Sequence, residues 1–566
     1  MKRVAAGKLF VIAGIAIAGL LPAGMSVAAE DPLVQDEMAR DVVLRAMVQE
    51  LERSVSGLTI EGLERPYFIE YAAQDALSAG IDAEWGSIVR KQVMPSRVLR
   101  VDVRVGSYTL DNTNFMGSGS DSGRFGGASM PTEDDCTAIR QAIWWATDRE
   151  YKDVVEQLER KKAFMASKVI DDKPEDFSHE TPVVDFEIRL TPEVPIDQLV
   201  ELAKASSVVF KDFPEIQEAT VSIRLGAGNQ YLVNSEGTRL RTQGTVCQIS
   251  ASASVQTDDG MKLSDDTSAY VLEWKDLPTG AAFGAQCRAL AERLVRVRNA
   301  PRLKESYTGP VLFSPQAGTQ VFARTFGRRF AGGQRPVGSR PDPDDFEKRI
   351  DKRILPRSVE VIDDPTQKTI AGVQAVGHYR FDDEGVPPRP VQLVEGGRLK
   401  TLVMSRNPSK LFKQSTGHAQ GFYNPSSGAA CLVMRATDAA NAETMKKEFR
   451  EACEDEGLAF GIRIDSLMGA NPLEMYKVYP DGREELVRGG EAPNIDLRAF
   501  KRILAVGDEP YVLNYASSQA AMTIAAPALL FEELDINPID RDFDKPPYLP
   551  APLARPATEQ AAATTP

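Results

Sequence analysis

Residues 218–256 read EATVSIRLGAGNQYLVNSEGTRLRTQGTVCQISASASVQ. Glu218–Leu225, Gln230–Asn234 and Arg239–Gln256 alternate in the two-residue period of strands with one buried face. Asn234-Ser235-Glu236-Gly237 reads as the turn between the last two, because Asn and Gly tolerate left-handed backbone. So short a link joins antiparallel neighbours. Helical patterns flank the stretch, Pro195–Phe210 before it and Gly284–Val297 after it. The stretch therefore reads as antiparallel strands closed on either side by amphipathic helices.

Upstream, Pro32–Leu58 carries apolar residues at helical spacing, and Tyr67–Tyr71, Ala83–Gln92 and Val98–Val105 read as strands. Asp111–Pro131 has a loop composition. Thr132–Ser167 reads as a long helix, with Trp144 and Trp145 assigned to core packing. Asn299-Ala300-Pro301 marks a boundary, giving an N-terminal domain over 30–303 with an extension over 30–180. The second domain, 304–545, opens with Pro310–Phe313 and a helix over Ala317–Phe330. Strands are expected at Ser358–Asp363, Gly372–Phe381, Arg389–Leu393, Leu399–Met404, Leu458–Asp465, Glu474–Tyr479 and Ile503–Leu513, with a helix over Ala442–Glu456. Residues 546–566 are Pro/Ala-rich and expected to be disordered.

The 566 residues carry 67 Lys+Arg against 81 Asp+Glu, a net charge of −14, which argues against a nucleic-acid partner. Lys2, Arg3 and Lys8 precede an apolar run from Leu9 to Leu21 and small residues at Ser26–Ala29. That is the order of a signal peptide over 1–29, and it implies export, most plausibly to a bacterial periplasm, with no stable membrane insertion after cleavage. The five cysteines lie far apart and read as buried apolar side chains.

Candidates for chemistry are few, since the chain has only three histidines. His179-Glu180 is followed by Pro182, which breaks the helix a zinc peptidase needs. His378 is placed in a strand and His418 in a loop, where ligand-handling groups often sit. Asp382-Asp383-Glu384-Gly385 fits a cation site, a general base, or a turn whose carboxylates hold backbone N–H groups; the spacing favours the turn. Arg324, Arg328 and Arg329 read as a solvated helix face.

The run Phe381–Pro387, then Leu393–Lys400, Met404-Ser405-Arg406 and Thr416-Gly417-His418 resembles the TldD/PmbA family, metallopeptidase-related proteins once called modulators of DNA gyrase. Tyr231–Thr238 resembles the family's N-terminal signature, and Ala526–Leu530 its C-terminal strand. The resemblance implies a two-domain α+β fold with antiparallel sheets and packed helices, dimers, handling of unfolded peptides and a zinc site in active members. There a His-Glu-x-x-x-His helix follows the strand matched by Pro310–Phe313. Here the matching helix, Thr319–Arg328, has no His, Glu or Asp, and Ser517-Ser518 stand where a cysteine ligand is expected. The expectation is an exported member without zinc or catalytic residues, binding extended peptide or acting as partner of an active paralogue or of itself. Asp382, Asp383, Glu384, Gly385, Gly417 and His418 are its peptide-binding or structural candidates. The alternatives are an active enzyme with a rearranged metal site using His378, His418 and the acidic turn, or a structural envelope protein.

Overall fold

The computed structural model describes residues 32–116, 126–168, 173–517, 520–547, 549 and 551–553. The signal peptide, most of the glycine/serine-rich loop, Ser518 and the end of the tail lie outside the described residues. The fold is α+β. Instead of one N-terminal helix there are two, α1 (Pro32–Arg40) and α2 (Val42–Gly57). The break falls at Asp41, whose carboxylate caps α2 by accepting from the Val43 and Leu44 N–H groups.

Three expected short strands are two long ones, β1 (Pro66–Glu84) and β2 (Ser87–Ser107), joined at Trp85-Gly86 with φ of +43° and +78°. The tight turn lies inside the stretch read as a strand over Ala83–Gln92. β3 (Leu110–Asp111) and β4 (Gly126–Ser129) pair with β2. α3 (Cys136–Ala166) begins after the Asp135 cap rather than at Thr132. β5 (Val184–Phe186) and α4 (Ile196–Ser207) follow.

The decisive stretch forms β6 (Ile216–Asn234) and β7 (Arg239–Gln256), a hairpin closed at Asn234–Thr238. β6 runs unbroken through Gly226–Asn229, where a gap between strands was expected. Gly228 explains it: a Cβ there would meet the Asp75 carbonyl oxygen at 2.3 Å, so glycine lets β1 approach without a bulge. β8 (Lys262–Val271), which the pattern did not reveal, and α5 (Gly280–Asn299) complete the region. The sheet runs β3-β2-β1-β6-β7-β5, with β4 on β2 and β8 on β7. One end packs under α1, α2 and α3, the other under α4 and α5, so β1 and β6 serve two cores. Trp144 and Trp145, read as core, are 39% and 58% exposed; α3 buries Ile139, Ile143 and Tyr151 instead.

The second half begins with β9 (Tyr307–Phe313) and α6 (Pro315–Phe326), which starts and stops earlier than expected because Pro315 suits the first helical turn. One six-stranded sheet runs β14 (Arg398–Leu399), β13 (Val391–Glu395), β10 (Val359–Asp363), β17 (Cys431–Ala436), β23 (Ala521–Ala526), β22 (Tyr511–Ala516). The other runs β20 (Glu484–Val487), β19 (Asn471–Val478), β18 (Gly461–Met468), β9, β24 (Leu529–Ile536), β21 (Ile503–Val506). Short ribbons β11 (Thr369–Ile370) with β12 (Val373–Gln374), and β15 (Ala419–Gln420) with β16 (Ser426–Ser427), sit in the connections. α7 (Ala442–Asp455) and α8 (Leu497–Lys501) lie outside the sheets. A core containing Phe313, Phe322, Phe326, Phe500 and Phe531 joins the two sheets. Much of Gly372–Phe381 and Leu399–Met404 is irregular rather than strand, so His378 sits in a loop.

Candidate functional site at the domain boundary

The acidic turn is built as a clamp. Asp382 Oδ1 accepts from the Glu384 and Val386 N–H groups at 3.0 and 2.9 Å, and Oδ2 from the Ala419 N–H at 2.9 Å. Burial, with the Glu384 carboxyl beside it, holds Asp382 well above the usual carboxylate range despite those donors. Gly385 completes the turn at φ +76° and packs against Leu232, Thr238 and Leu240 of the N-terminal domain. Asp383 accepts from Gln230 Nε2 at 2.7 Å and the Gly421 N–H at 2.8 Å. Glu384 accepts from the Arg406 N–H at 2.6 Å.

Gly417 adopts φ +72°, and a Cβ there would lie 2.4 Å from the Pro387 carbonyl oxygen. His418 is fully buried, with Nδ1 2.9 Å from the Thr416 carbonyl oxygen and Nε2 3.6 Å from Asp363 Oδ1. Asp363 in turn accepts from the Ala430 and Cys431 N–H groups. The six candidates therefore share one knot of loops, with the acidic turn pinned to the 417–421 segment. His378 does not join it; its Nδ1 lies 2.8 Å from the Pro365 carbonyl oxygen. His179 is exposed and stacks on Tyr108 at 3.6 Å. Among the described residues no three His, Cys, Asp or Glu side chains are grouped as a metal ion requires.

Two arginines, Arg100 and Arg406, bind this knot to the first domain, and a third, Arg104, lies beside them within that domain. Arg100 donates to Glu70 at 2.5 Å and to the Phe422 and Asp383 carbonyl oxygens. Arg406 grips Glu236 with both terminal nitrogens at 2.7 and 2.8 Å, and the Ser178 carbonyl oxygen. Arg104 pairs with Asp102, and both the Arg104 and Arg406 guanidinium groups lie over the Phe177 ring, at 3.6 and 3.8 Å. Burial pushes Glu70 up to about 7. Motif reading gave no role to Arg100, Asp102 and Arg104, although they alternate with Leu99, Val101, Val103 and Val105. That alternation reads as a solvated face; the second domain covers it.

Beside the arginines, the domains enclose a cleft of about 280 Å³. Asp102, Arg104 and Asn112 line it from β2 and the turn after it, Glu150 from α3, and Glu384 and Asn407 from the second domain.

Around β9 and α6, the six residues after the strand are Ser314-Pro315-Gln316-Ala317-Gly318-Thr319. Thr319 is buried, its hydroxyl 2.6 Å from the Ala526 and 3.0 Å from the Tyr511 carbonyl oxygen. Arg324 and Arg328 are exposed. Residues 306–537 match the PmbA/TldA metallopeptidase C-terminal domain. That part of the chain carries the C-terminal domain of the TldD/PmbA family.

A metalloprotease of Methanocaldococcus jannaschii is 27% identical over 217 residues, 37% of this chain and 45% of that protein, so the match spans less than half of the relative. The chain also shares its fold with solved structures. TldE from Thermococcus kodakarensis matches at TM-score 0.54 and 15% identity, over 83% of this chain and 96% of the other. A proposed modulator of a DNA gyrase from Thermotoga maritima matches at 0.55 and 14%, over 89% and 100%. A similar protein from Bacteroides thetaiotaomicron matches at 0.53 and 16%, over 89% and 99%.

Proposed function

We propose that this chain is an exported, non-catalytic TldD/PmbA-family protein that binds extended peptide, alone or as partner of an active paralogue. The carrying observation is the chemistry of Thr319–Arg328. Zinc takes thiolate, imidazole or carboxylate ligands, and this segment has none. Thr319 is tied instead to the carbonyls of two strands, and Arg324, on the same helix, is a cation. The donor set does not fit zinc, so no hydrolytic step is drawn through it. The acidic turn offers no substitute, because Asp382 and Asp383 are occupied by backbone and amide N–H groups. Peptide binding needs no metal: main-chain pairing and amide-lined clefts supply it. The domain cleft is the place assigned to it. Export rests on the basic start and the apolar run of residues 2–21.

The test is elemental analysis of the purified chain after zinc loading and dialysis, run beside titration with an unstructured peptide and a pull-down for a family paralogue. The expected result is zinc well below one per chain, together with peptide affinity or a co-purifying paralogue. One retained zinc per chain would overturn the non-catalytic reading, and absence of both peptide and paralogue would overturn the binding role.

A further inference from the structure

We infer that one face of the second domain docks on an anionic lipid surface, with Leu411 entering the headgroup layer among flanking bases. The face uses none of the residues that line the domain cleft, so it stands independently of the peptide-binding reading. Residues 346–357 and 395–413 hold ten Lys and Arg against three Asp and Glu, in a chain with 67 against 81. The fold brings the two segments together. Arg353 bridges Arg398 of β14, the outer strand of its sheet, in antiparallel register. The Asp351 N–H donates to the Leu399 carbonyl oxygen at 2.8 Å, and the Ile354 N–H to that of Gly397 at 2.9 Å. Leu399 is buried, so Arg398 and Lys400 on either side of it are both exposed, and Arg353 opposite Arg398 shares their face. Like charges directly opposite one another destabilise a ladder. Among the described residues no carboxylate pairs with Lys352, Arg353, Arg357 or Arg398, and Lys400 lies 3.6 Å from Asp351. The acids at the rim are taken up locally, Asp344 by Arg329 and Arg349, and Asp345 by Lys348.

An apolar group stands among these bases. Glu347 Oε1 accepts from the Ser409 hydroxyl at 2.8 Å and the Leu411 N–H at 3.0 Å, which ties residues 409–413 to the short helix Phe346–Arg349. The Ser409 N–H donates to the Phe412 carbonyl oxygen at 2.8 Å, and Phe412 packs on the core. That turn leaves Leu411 57% exposed, between the exposed Lys410 and Lys413. A leucine held outward among bases gains nothing from water or from a soluble polyanion. At a bilayer, acyl chains lie directly beneath a layer of anionic headgroups, and both features are met at once. The chain as a whole is acidic, so repulsion elsewhere turns this face toward the lipid. The contact is peripheral, because no described helix is long and apolar enough to cross a membrane.

The full chain is sedimented with vesicles of phosphatidylcholine alone and of phosphatidylcholine with phosphatidylglycerol, at rising salt. Binding to the anionic vesicles should be at least tenfold tighter and should fall as salt rises. Arg353→Gln combined with Arg398→Gln should weaken it at least tenfold, since each base near such a surface is worth about fivefold. That pair of changes removes a like-charge contact and so keeps the fold. Lys447→Glu, on α7, should leave binding unchanged. Leu411→Ser should weaken binding severalfold, and Leu411→Trp should add a blue-shifted emission with anionic vesicles that the parent chain lacks. Equal binding to both kinds of vesicle, or a Leu411→Trp emission unmoved by the anionic ones, would overturn lipid docking. Soluble polyglutamate bound as tightly as the vesicles, with Leu411→Ser unaffected, would overturn it in favour of an acidic protein.

Discussion

At the scale of single residues, the acidic turn shows how a motif that looks catalytic can be a fastener. Asp382 supplies acceptors to three backbone donors from two loops. Asp382→Ala should lower stability by about 3 kcal/mol, read from urea unfolding, because those donors stay buried without partners. Gly417→Ala should cost about 2 kcal/mol or more, from its left-handed backbone and the approach of the Pro387 carbonyl. Glu70 gives a pH signature. Its folded pKa, about 7, lies above the carboxylate's ordinary value, so the native state binds more protons than the unfolded one between those limits. Its contribution is therefore greatest at acid pH and is lost as pH rises from about 4.5 to 7. Glu70→Gln should flatten that part of the stability curve, measured as urea midpoints across the range.

At the scale of elements, β6, β7 and their turn were legible because alternation and an Asn–Gly turn act locally. β1 and β2 read as fragments, since the Trp85-Gly86 reversal carries no common turn signature. Trp144 and Trp145 were misread as core because hydrophobicity says nothing about which helix face meets the sheet. The candidate residues were found by motif, and their gathering into one knot was not visible, because Asp382 meets Ala419 through loops without periodicity. The role of Arg100, Asp102 and Arg104 was hidden for a related reason: only the second domain decides whether a charged strand face is wet. α6 is held by the Thr319 hydroxyl against Ala526 and Tyr511. Thr319→Val should cost about 1–2 kcal/mol, seen as a lower urea midpoint, since it strips a buried hydrogen bond while keeping the volume.

At the scale of the whole molecule, buried ion pairs and a shared turn fasten two halves that each own a core. Arg406→Met would strip the partly buried Glu236 of its cation while leaving it the Tyr108 hydroxyl, at a cost of about 1–3 kcal/mol. The single urea transition should then separate into two, detected as non-coincident fluorescence and circular-dichroism curves. The order of strands in the N-terminal sheet has a consequence for synthesis. β1 takes β2 on one side at once, but its other neighbour, β6, begins only at Ile216. At translation rates of about 5–20 residues per second, the edge of β1 stays open on the ribosome for on the order of ten seconds. A nascent hairpin with one bare edge is a template for the wrong partner. Yield of this chain should therefore depend on holding factors that occupy that edge until β6 emerges.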